Sequence, residues 1–584
     1  MPAPEGEHGA PEPTLPDRLL VAVFAVGAVV GPYLLRSLDD NRLASWRWVF
    51  AARSPVALLG LALGAALLAQ FVARFTPARR REALLFLGAY AMGACSWSEP
   101  EPIVDAARYF TQAKHLALYG VGHFLREWGR EIPAWTDLPL VPFLYGLVLR
   151  LSGESRLAVE AFGTLLFAGA AVLTARIGRA LWDEGTGLAA GALLLASPYL
   201  LAQVPLMLVD VPTLFFVALA THASLRALQQ PTAARVVLAG FAVFLALLSK
   251  YSAGLFLTAL PVAAVALGRS PGAGPGEGGT APARPAGAAA HALRRLSILA
   301  AVALVAAALS LAVLVPLRDV FSRQLSLLLG YQAPGLRRWG ESFLSTFVFQ
   351  VHPFVGAAAL ASVWVAWRRR DPAWLVAAWP VLLLLVLGVR RIRYLLPALP
   401  MLALLAAYGL HALRARETRR AVVACAVLSA FALGLYGYGP FLRGTSAINL
   451  KAAGAFLDRL EEERVEVMTA SAPEPAVNPA VSIPLLDLFT AKRLVYRDEA
   501  IPRPPAGRLE TSALRFTWEL PAARWYAPGP PQGRAAVAVI SDGAAPLPAR
   551  VTERLAGHVL DRAFDTDEDL FQHRTRVEVY RLRP

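Results

Sequence analysis

The sequence predicts an all-α polytopic membrane bundle of about thirteen transmembrane helices, followed by a small extracytoplasmic α/β domain. Three observations predict it. First, 56% of the 584 residues are hydrophobic and 17% charged, against roughly 25% charged in soluble globular chains. Second, apolar runs of the length needed to cross about 30 Å of hydrocarbon recur from Leu19 to Tyr438. Third, after Gly439 the composition turns to that of a soluble domain. The net charge of +15 would suggest nucleic acid in a soluble protein. Here much of it lies in short arginine clusters beside apolar runs, which is how membrane topology is encoded, so a nucleic-acid partner is excluded.

Residues 1–18 form an acidic, proline-rich tail without the basic start of a cleaved signal, expected to stay cytoplasmic. Residues 19–82 hold two spans, Leu19–Leu35 and Pro55–Val72. A catalytic membrane domain is expected over 83–443, with spans Ala83–Ala94, Leu157–Ala175, Gly185–Leu201, Val211–Ala227, Val236–Ser249, Ser252–Leu267, Leu296–Val315, Phe343–Trp367, Ala373–Gly388, Leu395–Leu413 and Ala421–Tyr438. Leu138–Leu151 is too short to span and reads as a re-entrant or interfacial helix. Arg79–Arg81, Arg176 with Arg179, Arg294–Arg295, Arg368–Arg370 and the run Arg414 to Arg420 fall on one side if the N-terminus is cytoplasmic, although Arg36–Arg53 carries four arginines on the other. The stretch 269–294 is a cytoplasmic linker whose Gly274, Gly276 and Gly279 match a nucleotide-fold spacing by chance, since no strand precedes them.

From 444 to 584 a helix-like run, Asn449–Arg464, precedes strand-like runs Val465–Thr469, Lys492–Arg497, Ala535–Ile540 and Arg576–Leu582, giving an extracytoplasmic α/β domain. The two cysteines, Cys95 and Cys425, fall near opposite ends of their helices and are not expected to pair.

The longest polar interruption in the apolar part, residues 97–142, opens with Glu99, Glu101 and Asp105 and continues through an amphipathic segment, Ala106 to Leu118, to Asp137. Its Tyr, Trp and Leu residues require burial, so it is expected to fold on the membrane as one wall of an active site. Asp210 sits among apolar residues at a predicted helix start. A helix-dipole role would be worth at most about 1 kcal/mol, whereas an acid so isolated near hydrocarbon more often has a task. Lys250 with Tyr251 marks a junction between spans, where a lysine alone can simply snorkel. Arg390, Arg391, Arg393 and Tyr394 stand on the side that the positive-inside rule depletes, which is tolerable where an anion such as a lipid phosphate binds, with plain headgroup contact as the alternative. Acids facing Lys and Arg at the mouth of a bundle suit group transfer from a lipid phosphate: a carboxylate takes the proton of an attacking hydroxyl while the cations stabilise the departing phosphate.

In this order the motifs resemble the GT-C membrane glycosyltransferases, specifically the group containing protein O-mannosyltransferases, the lipid A aminoarabinose transferase and RgtA/B/C/D-like bacterial enzymes. Ala107-Arg108 aligns Glu99 with that group's catalytic aspartate. Asp137-Leu138-Pro139-Leu140 matches its loop motif, Asp210-Val211-Pro212 its second acid, Lys250-Tyr251 its Lys-Tyr/Gly step, and Arg393-Tyr394 with Pro397 its Arg-Tyr-x-x-Pro step. The likeness runs from about Ala83 to Tyr438 and leaves the first two spans outside. It departs from the pattern in having glutamate at the first acid and Pro100 at the second, so Glu101 competes with Glu99 as base.

The resemblance implies an inverting transfer of a sugar from a polyprenyl-phosphate donor to an extracytoplasmic glycan, lipid or protein acceptor, in a bacterial plasma membrane. It implies Glu99, Glu101 and Asp210 as catalytic acids, Lys250, Arg391, Arg393 and Tyr394 around the donor phosphate, and Asp105 and Asp137 in the acceptor-side loop. No cofactor is required by it; some members use a divalent cation and others do not, and His115, His123 and His352 fit no ligand spacing. Two other classes compete. A secondary transporter or flippase would place its ionisable residues near the bilayer midplane on broken helices, whereas these lie at helix ends and in loops. A membrane-anchored binding or sensory protein would need no charged cleft.

Overall fold

The computed structural model describes residues 15–41, 45–74, 80–97, 100–101, 105–267, 285–333, 341–413, 415–439, 447–470, 477–496, 523–527, 535–543, 546–566 and 575–583. The chain is a helical membrane bundle carrying a small sheet domain. Among the described residues seven helices are long and apolar enough to cross a membrane. Several of the remaining expected spans are shorter helices or are interrupted.

The interruptions have local causes. The expected span Gly185–Leu201 is two helices, Glu184–Leu194 and Pro198–Gln203. Pro198 cannot continue a helix but starts one well, and Ser197 caps it by accepting the Leu200 amide at 3.3 Å. Phe343–Trp367 is likewise split, into a π-helical turn Ser345–Gln350 and a helix Pro353–Arg369 that again opens on proline. Ser252–Leu267 becomes Ala253–Leu257 and Ala259–Ala266. These breaks turn apolar sequence into corners at the bundle's end, where polar side chains can gather.

Six helices position the site and are labelled in chain order. α1 (Arg81–Ala94) leads into the polar stretch 97–142, and α2 (Asp105–Tyr119) and α3 (Leu140–Ser152) lie within it and at its end. α3 has 13 residues and stops at Gly153, whose φ of +74° suits glycine. It is too short to span, as the sequence indicated. Its buried Val141, Tyr145 and Leu149 form one helical face. α4 (Arg156–Leu181), α5 (Asp210–Gln229) and α6 (Ala233–Ser249) follow, the first capped by Ser155 and the last by Thr232.

The sheet domain holds β1 (Arg464–Ala470), β2 (Arg493–Tyr496), β3 (Ala535–Ser541), β4 (His558–Phe564) and β5 (Arg576–Leu582) in the order β2-β1-β3-β5-β4. β1 pairs in parallel with β2 and β3, while β5 runs antiparallel to β3 and β4. Four strands coincide with the expected runs. β4 was not expected because its five central residues are exposed, so the edge strand carries no buried alternation. One hydrophobic core joins the sheet to α2: Val467, Ile540 and Val579 belong to the same cluster as Ala106, Tyr109 and Phe110. Lys114 of α2 reinforces that junction through Asp487, 2.7 Å away, which also accepts the Tyr526 hydroxyl at 2.6 Å.

Candidate active site

The corners of the bundle converge on a row of alternating charges. Lys250, immediately after α6, reaches Asp210 Oδ1 at 2.7 Å. Asp210, the first residue of α5, receives Arg393 Nε on its other oxygen at 2.8 Å. Arg393 Nη1 meets Asp105 Oδ2 at 2.5 Å. Arg108 stands 3.7 Å from Asp105 and donates from Nη2 to Asp137 Oδ1 at 2.8 Å. Three cations and three carboxylates thus run from Lys250 to Asp137, drawn from five separate parts of the chain.

Local sequence explains why they point together. Asp105, Arg108 and Gln112 are spaced three and four apart and share one face of α2. Gln112 Nε2 donates to Asp137 Oδ2 at 2.8 Å, and Trp128 Nε1 donates to Gln112 Oε1 at 3.3 Å. Gln324 holds the Asp137 carbonyl at 2.8 Å and accepts the Tyr251 hydroxyl at 2.6 Å. Buried charges persist only when paired and hydrogen-bonded, and this row meets that condition throughout.

The acids are not equivalent. Asp210 is 0% exposed, whereas the Asp105 side chain is 19% exposed. Burial would raise the Asp105 carboxyl, but the guanidiniums of Arg393 and Arg108 outweigh it and hold the group well below the usual carboxylate range. At Asp137 burial wins over Arg108 and the carboxyl is raised. Glu101, 1% exposed, sits apart from the row: both its oxygens accept the Met207 amide, at 3.0 and 3.3 Å, and Arg156 approaches to 3.5 Å. Burial pushes it up to about 7, against the pull of Arg156. Glu99 lies outside the described residues.

Arg391 and Tyr394 flank the row. The Tyr394 ring lies under both Lys250, at 5.1 Å from its centroid, and Arg391, at 5.6 Å. The structure therefore brings together Asp105, Asp137, Asp210, Lys250, Arg391, Arg393 and Tyr394. Arg108 and Gln112, which the sequence reading used at most as an alignment mark, form the middle of the network. The signal available for them was the helical spacing from Asp105. Arg156, which carries Glu101 and also pairs with Glu160, gave no such signal. Among the described residues no group of three metal-ligating side chains occurs; His115 stacks on His123 and meets Trp525 edge-on, and His352 meets Ser429.

A cavity of about 640 Å³ opens beside the row. Arg108 and Gln112 of α2 line it together with Trp135, Gln324, and Ile483 and Tyr526 of the sheet domain. It thus lies between Arg108, the cation that pairs with Asp137, and the sheet domain.

Residues 136–271, which include Asp137, Asp210 and Lys250, match the family model of dolichyl-phosphate-mannose-protein mannosyltransferases. The solved structure of ArnT from Cupriavidus metallidurans bound to undecaprenyl phosphate aligns over 85% of this chain and 97% of its own, with a TM-score of 0.52 at 14% identity. The chain is a membrane glycosyltransferase of the GT-C fold. The Archaeoglobus fulgidus oligosaccharyltransferase, in complex with zinc and sulfate, aligns over 78% of this chain and 68% of its own, with a TM-score of 0.42 at 13% identity. No curated protein sequence matches. The fold expected from the order of short motifs is therefore the fold observed, and a transporter or sensory reading finds no support.

Proposed function

We propose that this glycosyltransferase transfers a sugar from a polyprenyl-phosphate donor to an acceptor hydroxyl, with inversion, on the extracytoplasmic face of a bacterial plasma membrane. The observation that carries the reading is the alternating row from Lys250 to Asp105 beside Arg391, placed at helix ends. A charged row there is suited to a lipid headgroup, because the phosphate lies at the bilayer surface while its chain stays in hydrocarbon. The ArnT structure was solved with undecaprenyl phosphate, which supports a lipid phosphate as the ligand of this corner.

In the reaction the acceptor oxygen attacks the anomeric carbon, the bond from that carbon to the phosphate oxygen breaks, and polyprenyl phosphate departs. Lys250, Arg391 and Arg393 stabilise its growing charge, with Tyr394 packed beneath two of them. The acceptor proton passes to a carboxylate of the segment Glu99 to Asp105. Glu99 holds the position aligned through Ala107-Arg108. Asp105 is supported by geometry: it is ionised, partly exposed, and paired with the cation that a donor phosphate would engage. When Arg393 turns toward phosphate, Asp105 loses its strongest partner and its basicity rises, which arms it only in the presence of donor. Glu101, held by a backbone amide and Arg156, supports the loop that carries both. Asp210 keeps Lys250 and Arg393 in place, and Asp137 fixes Arg108 at the mouth of the cavity through which the acceptor enters. The N-terminus is cytoplasmic and the sheet domain extracytoplasmic in this reading.

The test is incubation of purified protein in nanodiscs with a panel of polyprenyl-phosphate sugars, reading release of polyprenyl phosphate. Release with at least one donor, lost in Arg393→Ala, is expected. Neither donor binding nor release across a broad panel overturns the proposal.

A further inference from the structure

Arg391 stands outside the alternating row, and its charge is met from another direction. Glu341 is fully buried, and its Oε2 accepts the amide of Ile392, the residue between the two arginines, at 3.1 Å. Its Oε1 is buried with no hydrogen-bond partner among the described residues. The Tyr199 hydroxyl, equally buried and equally without one, lies within the electrostatic reach of Glu341. Arg391 is the leading charge acting on Glu341, ahead of Asp40 and Asp39.

The amide of Ile392 lies at a helix start, where backbone N–H groups have no partner within the helix. Here the chain fills that place with its own carboxylate, leaving the arginine side chains, rather than the backbone, to meet a ligand. The carboxylate is itself anchored by the segment that follows the first span. Asp40 Oδ1 accepts the Ser342 amide at 2.9 Å, Asp39 accepts the Ser345 hydroxyl at 2.6 Å and the Trp46 amide at 2.6 Å, and Trp46 Nε1 donates to the Phe349 carbonyl at 2.5 Å. The segment between the two N-terminal spans, which lies outside the motif resemblance, thereby reaches the donor corner.

We infer that Glu341 is a positioning residue of the donor-phosphate site, holding Arg391 and Arg393 on either side of Ile392 and setting how much of the Arg391 charge is offered to a phosphate. This rests on the lipid-phosphate reading above. Two effects follow from one side chain. The acceptor oxygen fixes the turn, because removing it leaves a buried amide unpaired. The charge tempers Arg391. Burial pushes Glu341 up to about 6, so the group is ionised at pH 8 and neutral at pH 5, facing Arg391, Asp39, Asp40 and Tyr199. Glutamine keeps the acceptor oxygen and copies the neutral state.

The experiment measures binding of undecaprenyl phosphate to the full chain in nanodiscs, for wild type, Glu341→Gln, Glu341→Ala and Arg393→Ala, at pH 8 and pH 5. Glu341→Ala is expected to bind about tenfold more weakly at both pH values. Glu341→Gln is expected to bind several-fold more tightly than wild type at pH 8, with the gap closed at pH 5. Titration of the lipid phosphate itself cancels in that ratio, and a purely structural role would leave the ratio flat. Glu341→Ala binding like wild type, Glu341→Gln falling as far as Glu341→Ala, or a ratio that does not change with pH overturns the inference. Wild-type binding retained in Arg393→Ala instead overturns the underlying donor reading, whatever the Glu341 variants do.

Discussion

Asp105 and Glu99 make different demands on the same segment, and substitution separates them. If the proton passes to Asp105, Asp105→Asn is expected to cut turnover by about a hundredfold or more while leaving affinity for undecaprenyl phosphate nearly intact, since only the base is lost. If Glu99 is the base, Glu99→Gln gives that signature and Asp105→Asn chiefly weakens donor binding by disturbing Arg393. Full turnover in both variants rejects the segment as the source of the base. Glu101 yields a different expectation. Its folded-state carboxyl is raised to about 7, so ionisation costs stability that is fully present as a penalty above pH 7 and absent once the unfolded chain is also protonated. Relative to wild type, Glu101→Gln is therefore expected to melt higher at pH 8 and to lose that advantage near pH 4.5. A melting difference independent of pH would mean that Glu101 is not the buried, reluctant acid described. At this scale the sequence was informative where polarity broke an apolar run: Asp210 stood out among apolar neighbours, Lys250 at the junction of two spans, and Arg393 in an arginine cluster on the side that the positive-inside rule depletes. Glu341 and Arg156 did not stand out, because a single charge between spans or at the first residue of a helix has no contrast, and their roles come from partners far along the chain.

Among the elements, close helix approach is what holds the corners in register. Gly178 of α4 faces Gly187 of the neighbouring helix Glu184–Leu194, and a Cβ on Gly187 would fall 2.2 Å from the Ala175 carbonyl oxygen and 2.7 Å from the Arg179 amide nitrogen. Both obstacles are backbone, so neither can rotate away. Small residues at crossings are how membrane helices approach without a hydrophobic drive between them. Gly187→Ala is expected to destabilise by about 1–3 kcal/mol, read as a lower melting temperature, whereas Gly88→Ala, where nothing lies within 4 Å, should leave it unchanged. Equal melting of the two variants would show that the α4 crossing can relax. Elements were legible to the extent that periodicity or run length marked them. α2 and α3 fell close to their expected places. The broken spans were not legible as broken, because an apolar run reads the same on either side of Ser197-Pro198, although the proline itself was the available mark. β4 escaped for the opposite reason: an exposed edge strand writes no pattern into its sequence.

For the whole molecule the question is how the sheet domain sits relative to the membrane, since the cavity above Arg108 exists only where the two meet. Lys114 and Asp487 are 373 residues apart and both buried, so their 2.7 Å pair together with the shared apolar core ties the sheet domain to the same side of the bundle as α2 and the charged row. The sheet domain and the active corner must then lie on one face, and a label that reaches one side reports the side of both. Cys95 is exposed and Cys425 buried, so single cysteines belong in a background with both replaced by serine. Leu560→Cys, on the exposed edge strand β4, is expected to react with a membrane-impermeant maleimide added to intact spheroplasts if, as proposed, the charged row and the sheet domain both face outward. Arg416→Cys, in the arginine cluster placed inside by the positive-inside rule, is expected to react only after the membrane is opened. Labelling of Arg416→Cys but not Leu560→Cys in intact cells would invert the orientation and put the charged row on the cytoplasmic side, where nucleotide-linked sugars are available and a lipid-carried donor is no longer required.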